Sequence, residues 1–141
     1  MSNVWFCSDL HIGHEKVAKD RARGHVLPRY VGAEIDWHDR ILAKNWDAAV
    51  SSDDVVWVLG DISSGGSQAQ RNALAWIADR PGRKRLICGN HDGVHPRNRD
   101  AHTWFRRYAE VFEHVSTSAR IRIPTSDGHV TALLSHYPLR R

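Results

Sequence analysis

A chain of 141 residues with 41% hydrophobic and 26% charged side chains has the composition of a folded globular protein and excludes a disordered one. At this length roughly two-thirds of the unfolded surface is buried on folding, enough for one core without help from metals or disulfides, and residues 1–141 are expected to form a single domain. The net charge of +4 favours an anionic substrate but does not by itself make a nucleic-acid binder.

Asn3–Ser8 carries the run Val-Trp-Phe-Cys and then stops at polar residues, as a buried strand delivering a loop does. Gly13–Arg23 suits a short helix ended by Gly24, followed by a loop around Pro28. From Ala33 to Val50, Ile35, Leu42, Trp46 and Ala49 recur on one helical face. Val55–Leu59 is a second buried strand and the longest apolar run, far too short to span a membrane. Ser67-x-x-Gln70 reads as a capping box opening a helix through Ile77, which Pro81-Gly82 ends. Leu86-Ile87-Cys88 is a third strand, and Asp100 caps a short helix with Trp104, Phe105 and Tyr108. Ile121 and Ile123 alternate with Arg120 and Arg122, Asp127-Gly128 signals a hairpin turn, and Val130–Leu134 leads to Ser135-His136. Strands alternating with helices and closed by a hairpin argue an α/β fold.

Each strand-like run ends in residues able to hold a metal: Asp9-Leu10-His11, Gly60-Asp61, Gly89-Asn90-His91-Asp92 and Ser135-His136. Open α/β sheets bind ligands at the carboxyl ends of their strands, so four such clusters converge in space. In extended backbone, residues two apart point the same way, which would let Asp9 and His11 reach one ion. Cys7 and Cys88 form no CxxC pair and read as buried bystanders. No basic flank precedes an apolar stretch at the N-terminus, so a cytoplasmic location is expected.

Taken together, the four clusters resemble the motif set of the calcineurin-like metallophosphoesterase family over almost the whole chain. The opening Asp9-Leu10-His11-Ile12-Gly13-His14-Glu15 is similar to that of small bacterial and phage phosphoesterases. The resemblance implies a β-sandwich flanked by helices and an enzyme using two divalent ions; manganese, iron, nickel and zinc all suit these ligand types. It implies Asp9 and His11 on the first ion, Asp61 bridging both, and Asn90 with His136 on the second. His91 would protonate the leaving oxygen, with Asp92 hydrogen-bonded to it. Two cations about 3.5–4 Å apart would clamp a phosphoryl group and supply a hydroxide for in-line attack. The expected substrate is a phosphate ester, more specifically a phosphodiester, with nucleotides and cyclic nucleotides as candidates. Asn90, His14 and Arg97 are candidates to touch it. A nucleic-acid substrate and a homo-oligomer are compatible with the sequence, whereas a membrane partner is not expected.

Departures narrow the reading. Gly60-Asp61 runs into Ile62-Ser63-Ser64, not the Asp-Arg-Gly signature of the superfamily's protein Ser/Thr phosphatases, and the third cluster ends in Asp92 where they carry Glu. Gly65-Gly66 lacks the Lys and Ser/Thr of a phosphate loop. The family's Gly-His-x-His turn, which follows the Ser-His cluster, is absent. The expectation is a sandwich incomplete on its C-terminal side, with each ion one ligand short. The alternatives are a shortened, weakly active or non-catalytic member serving as a binding module, and a nuclease. Among the remaining side chains, His25, His38, His95, His102, His114 and His129 read as surface residues. Trp5, Trp46, Trp57 and Trp76 read as core, Trp37 and Trp104 as exposed, and Arg83-Lys84-Arg85 as a connection between helix and strand.

Overall fold

The computed structural model describes residues 2–139. Its elements are β1 (Val4–Cys7), α1 (Glu15–Arg21), α2 (Ala33–Ala49), β2 (Val55–Val58), α3 (Ser67–Ala78), β3 (Arg83–Ile87), α4 (Ala101–Ala109), β4 (His114–Ser116), β5 (Ser118–Thr125) and β6 (Gly128–Ser135). Strands β1 to β4 form a parallel sheet in sequence order, and β5 pairs with β6 in an antiparallel ribbon. Parallel strands taken in order through crossovers of one hand put every connecting helix on the same face. That face holds the larger core. Val56, Val58, Leu86 and Cys88 of the sheet meet Trp46 of α2, Ala73, Leu74 and Ile77 of α3, and Trp104 and Tyr108 of α4. The alternate residues Trp57 and Ile87 point the other way, onto Leu134 of β6 and Ala119 and Ile121 of β5. The result is a mixed α/β architecture with helices on one side of the parallel sheet and the ribbon on the other. β1 is not the buried strand its apolar run suggests: Val4, Trp5 and Phe6 are exposed, and Val4 and Phe6 line an open cleft with Ile121, Ile123 and Pro124 of β5. No helix among the described residues is long and apolar enough to cross a membrane.

Several local expectations need correcting. Ser67 is the first helical residue of α3, Gly66 is its N-cap, and no side chain caps it. Gln70 turns inward instead, donating to Gly65 O at 2.9 Å and accepting from Gly93 N at 2.9 Å and Tyr108 OH at 2.6 Å. Three bonds made by a buried side chain outweigh one exposed capping bond. Asp100 is the N-cap of α4 but likewise makes no side-chain capping bond. Trp104 is buried, with the guanidinium groups of Arg71 and Arg107 over its ring, while Trp5 is partly exposed and donates its indole N–H to Asp54. Arg83-Lys84-Arg85 lies in β3 rather than before it, and Arg83 and Arg85 share the carboxylate of Glu113. The short strand β4 was invisible in sequence because His-Val-Ser is too short and polar to show a period. His38 is not a surface residue but 1% exposed.

Asp54 pins the start of β2 to β1. Its buried carboxylate accepts from Asn3 N (2.7 Å), Ser51 N (2.9 Å) and Trp5 Nε1 (2.9 Å). These donors, the Asn3 amide first, hold its pKa below the usual carboxylate value. A depressed folded pKa contributes stability above the unfolded pKa, and that contribution is lost as pH falls through the folded one. Asp54→Asn, which turns an NH2 toward an N–H donor, is therefore expected to lower the urea midpoint at neutral pH. The gap to the parent should close below about pH 4, the range in which an ordinary aspartate protonates. An equal gap at both pH values would show that the charge plays no part.

Candidate metal centre

Parallel pairing brings the carboxyl ends of β1, β2 and β3 to one edge of the sheet, and their three loops meet there. The β1 and β2 loops continue the ladder beyond the strands: Asp9 N donates to Gly60 O (3.0 Å), His11 N to Asp61 O (3.1 Å) and Ile12 N to Ile62 O (2.9 Å). The non-glycine residues with left-handed backbone among those described are Asp9 (φ 54), His11 (φ 47) and Asp61 (φ 55). These same three form a cluster that could hold a metal ion, with ligand atoms all within 4.8 Å of one another. Asp9 and His11 thus share a site through two left-handed turns, not through the extended alternation expected from their spacing. Such conformations cost about 1–3 kcal/mol each and mark sites where side-chain aim outweighs backbone comfort.

His136, at the end of β6, arrives from the other sheet. Its Nδ1 is 2.7 Å from the carbonyl oxygen of Leu59, which can only accept, so Nδ1 carries the proton. In the neutral ring Nε2 then presents a lone pair, and it faces Asn90 Oδ1 at 3.1 Å and Asp61 Oδ2 at 3.5 Å. A lone pair, an amide oxygen and a carboxylate oxygen gathered without a donor suit a cation. On the other side of Asp61, His11 Nε2 lies 3.9 Å from the same Oδ2 and 3.7 Å from Asp9 Oδ1. Burial lowers the pKa of His11, against the pull of Asp61, which favours the neutral, ligating form.

The structure therefore brings Asp9, His11, Asp61, Asn90 and His136 together. His91 also borders the site, its ring 5.8 Å from that of His11, with Nδ1 set 3.1 Å from Ser64 O so that Nε2 is the nitrogen left free. Asp92 does not bond to His91 as expected. It is fully buried, and its carboxylate accepts from Gly89 N (2.7 Å), Asp61 N (2.9 Å) and Ile62 N (3.0 Å). Burial pushes its pKa up to about 6, with these three donors pulling the other way. His14 is the N-cap of α1, and its Nδ1 sits 3.1 Å from His11 Nδ1, so it touches a candidate ligand directly. Arg97 is exposed, and among the described residues its guanidinium bonds to none of the site residues; only its backbone N–H is engaged, with His95. Burial raises the Cys7 thiol to about 12 and the Cys88 thiol to about 11, so both stay protonated and unreactive.

The calcineurin-like phosphoesterase family model matches residues 2–140. The gene 66 proteins of mycobacteriophages L5 and D29 are 55% and 54% identical to this chain, each over 98% of it. The crystal structure of a protein of unknown function from Aquifex aeolicus superposes with a TM-score of 0.61 at 24% identity over 96% of this chain, a likeness of fold alone. The chain spans 64% and 65% of the two phage proteins and 60% of the Aquifex chain, less than two thirds of each.

The site's tolerance is set by glycine. A Cβ on Gly89 would overlap Asp61 Oδ1 and stand 2.9 Å from His136 Cε1. Gly89→Ala is expected to displace both side chains and to weaken manganese binding by about tenfold or more in a calorimetric titration, with the circular dichroism of the fold retained. Unchanged affinity would mean that Asp61 and His136 are not held as described.

Proposed function

The chain belongs to the calcineurin-like phosphoesterase family, and from that premise we propose that it hydrolyses phosphate esters, phosphodiesters foremost, with two adjacent divalent ions. The observation that carries this reading is the position of Asp61 Oδ2, 3.9 Å from His11 Nε2 and 3.5 Å from His136 Nε2. A carboxylate oxygen within reach of both imidazoles would let Asp61 serve two ions at once. Asp9, His11 and Asp61 would hold the first ion, and Asp61, Asn90 and His136 the second. Ions held there would supply Lewis-acid polarisation of a phosphoryl oxygen and acidify water.

The residues themselves divide the remaining work. The other oxygen of Asp61 accepts the backbone N–H of His91 at 2.9 Å, which fixes the carboxylate plane and leaves Oδ2 free. Asn90 would give the second ion a neutral oxygen, a ligand that adds no negative charge against phosphate. His91, exposed and anchored through Nδ1, can carry a proton on Nε2 to a leaving oxygen. Asp92 is reassigned from a partner of His91 to the joint between loops. His14, engaged with His11, serves the ligand set rather than the substrate. The half-exposed Asp9 and exposed His91 leave the site open on one side, as a bulky diester requires.

The test is hydrolysis of bis-p-nitrophenyl phosphate with manganese. Asp61→Ala is expected to abolish turnover. His91→Gln should keep metal affinity while lowering kcat by about 10²–10⁴-fold, the usual contribution of a general acid. Activity absent with every divalent metal tried, or undiminished in Asp61→Ala, would refute the reading.

A further inference from the structure

On the helix side of the β1 loop lies a set of polar residues that takes no part in the site as described. Arg21 ends α1, and its Nη2 donates to Asp9 O at 2.7 Å while Nη1 reaches Leu10 O at 3.4 Å. The same Nη1 is 2.7 Å from Nε2 of His38 in α2. A guanidinium can only donate, so His38 Nε2 is the acceptor and Nδ1 carries the ring proton. That proton points at Asp39 Oδ1, 2.8 Å away. Asp39 closes the circuit, accepting Gly13 N–H at 3.2 Å on Oδ1 and 3.0 Å on Oδ2.

The chain of donors thus runs from Arg21 through His38 to Asp39 and grips the Asp9–Gly13 loop at both ends, by the carbonyl of Asp9 and the amide of Gly13. The two gripped residues, Asp9 and Gly13, and His11 between them all have left-handed backbone. We infer that Arg21, His38 and Asp39 form a clamp that holds this loop in the conformation aiming Asp9 and His11 at a metal; they are positioning residues, and none of them reaches the site. The inference rests on the reading of that site as a metal centre. Two features separate a clamp from ordinary helix packing. Arg21 spends two of its bonds on loop carbonyls rather than on α2, and a fully buried histidine is committed to joining a cation to a carboxylate. Backbone in a strained conformation persists only where its surroundings over-determine it, and this circuit supplies that on the helix side.

Three variants test it. His38→Leu removes both bonds of the ring, His38→Gln keeps an acceptor for Arg21, and Arg21→Lys keeps the charge without the reach to three acceptors. In metal-free protein, amide hydrogen exchange at His11 and Ile12, whose N–H groups bind Asp61 O and Ile62 O, is compared with that at Val56 and Val58 in β2. Manganese affinity is read separately by calorimetry and by the spin signal of bound Mn(II). The expected result for His38→Leu and Arg21→Lys is faster exchange confined to His11 and Ile12 and about 10–100-fold weaker manganese binding, the range for losing a group that orients a ligand. His38→Gln should fall between these and the parent. Unchanged exchange and affinity in a folded His38→Leu, or exchange rising equally at Val56 and Val58, overturns the clamp. Should His38→Leu not fold, Arg21→Lys decides by the same criteria. Should the parent itself take up no manganese, the metal-centre reading fails, and exchange at His11 and Ile12 alone decides the clamp.

Discussion

The loops of the candidate metal centre are hung on one carboxylate that never meets solvent. Asp92 collects the N–H groups of Asp61 and Ile62 from the β2 loop and of Gly89 from its own. Loops that leave strands at a sheet edge expose amides with no strand partner, and a buried amide left unpaired is costly. A single anion satisfies three of them and so ties the second and third loops together. Burial raises its pKa to about 6, so the charge is held at an electrostatic disadvantage that the three donors only partly offset. That disadvantage is tolerated where it sets the spacing of Asp61 and Asn90.

From this joint the tie continues to the first loop through backbone alone. The bonds from Asp9, His11 and Ile12 to Gly60, Asp61 and Ile62 extend the β1–β2 pairing past the last strand residue. Because Asp9, His11 and Asp61 sit in left-handed turns, the ladder persists while their side chains swing toward one another. Regular strand geometry would send alternate side chains to opposite faces of the sheet. Strain and convergence are therefore the same feature seen from backbone and from side chain.

Much of this was legible in sequence. Short apolar runs ending before Asp9, Asp61 and Asn90 marked strands of an α/β fold whose ends carry metal-capable residues, although the first of them, read as buried, leaves Val4, Trp5 and Phe6 exposed. What stayed hidden were partners distant along the chain. Nothing in Gln70 or His38 distinguishes an inward polar group from a solvated one; only packing shows that Gly93 and Tyr108, or Arg21 and Asp39, stand opposite. The pairing of Asp92 with His91 was implied by the family resemblance, and the side chains of this chain do not make it. Adjacent side chains in a tight loop diverge, and these two go to Ser64 and to the loop amides.

The two halves of the site depend on different parts of the fold. Asp9, His11 and Asp61 are held within the parallel sheet and its loops, whereas His136 comes in on a ribbon joined to that sheet by side chains. Placing all helices on one face is what leaves the other free for this ribbon. Leu134 packs on Trp57 and Ile87, and in a strand residues two apart share a face, so the side of β6 that packs is also the side that leads to His136. The bond from His136 Nδ1 to Leu59 O then fixes the ring at the end of β2, next to Gly60. At Gly60 a Cβ would come within 2.5 Å of His136 Nδ1. Leu134 therefore aims His136, Leu59 orients its ring, and Gly60 leaves it room. Loosening the contact between the sheets would withdraw His136 from Asn90 and Asp61 while leaving the Asp9–His11–Asp61 cluster intact.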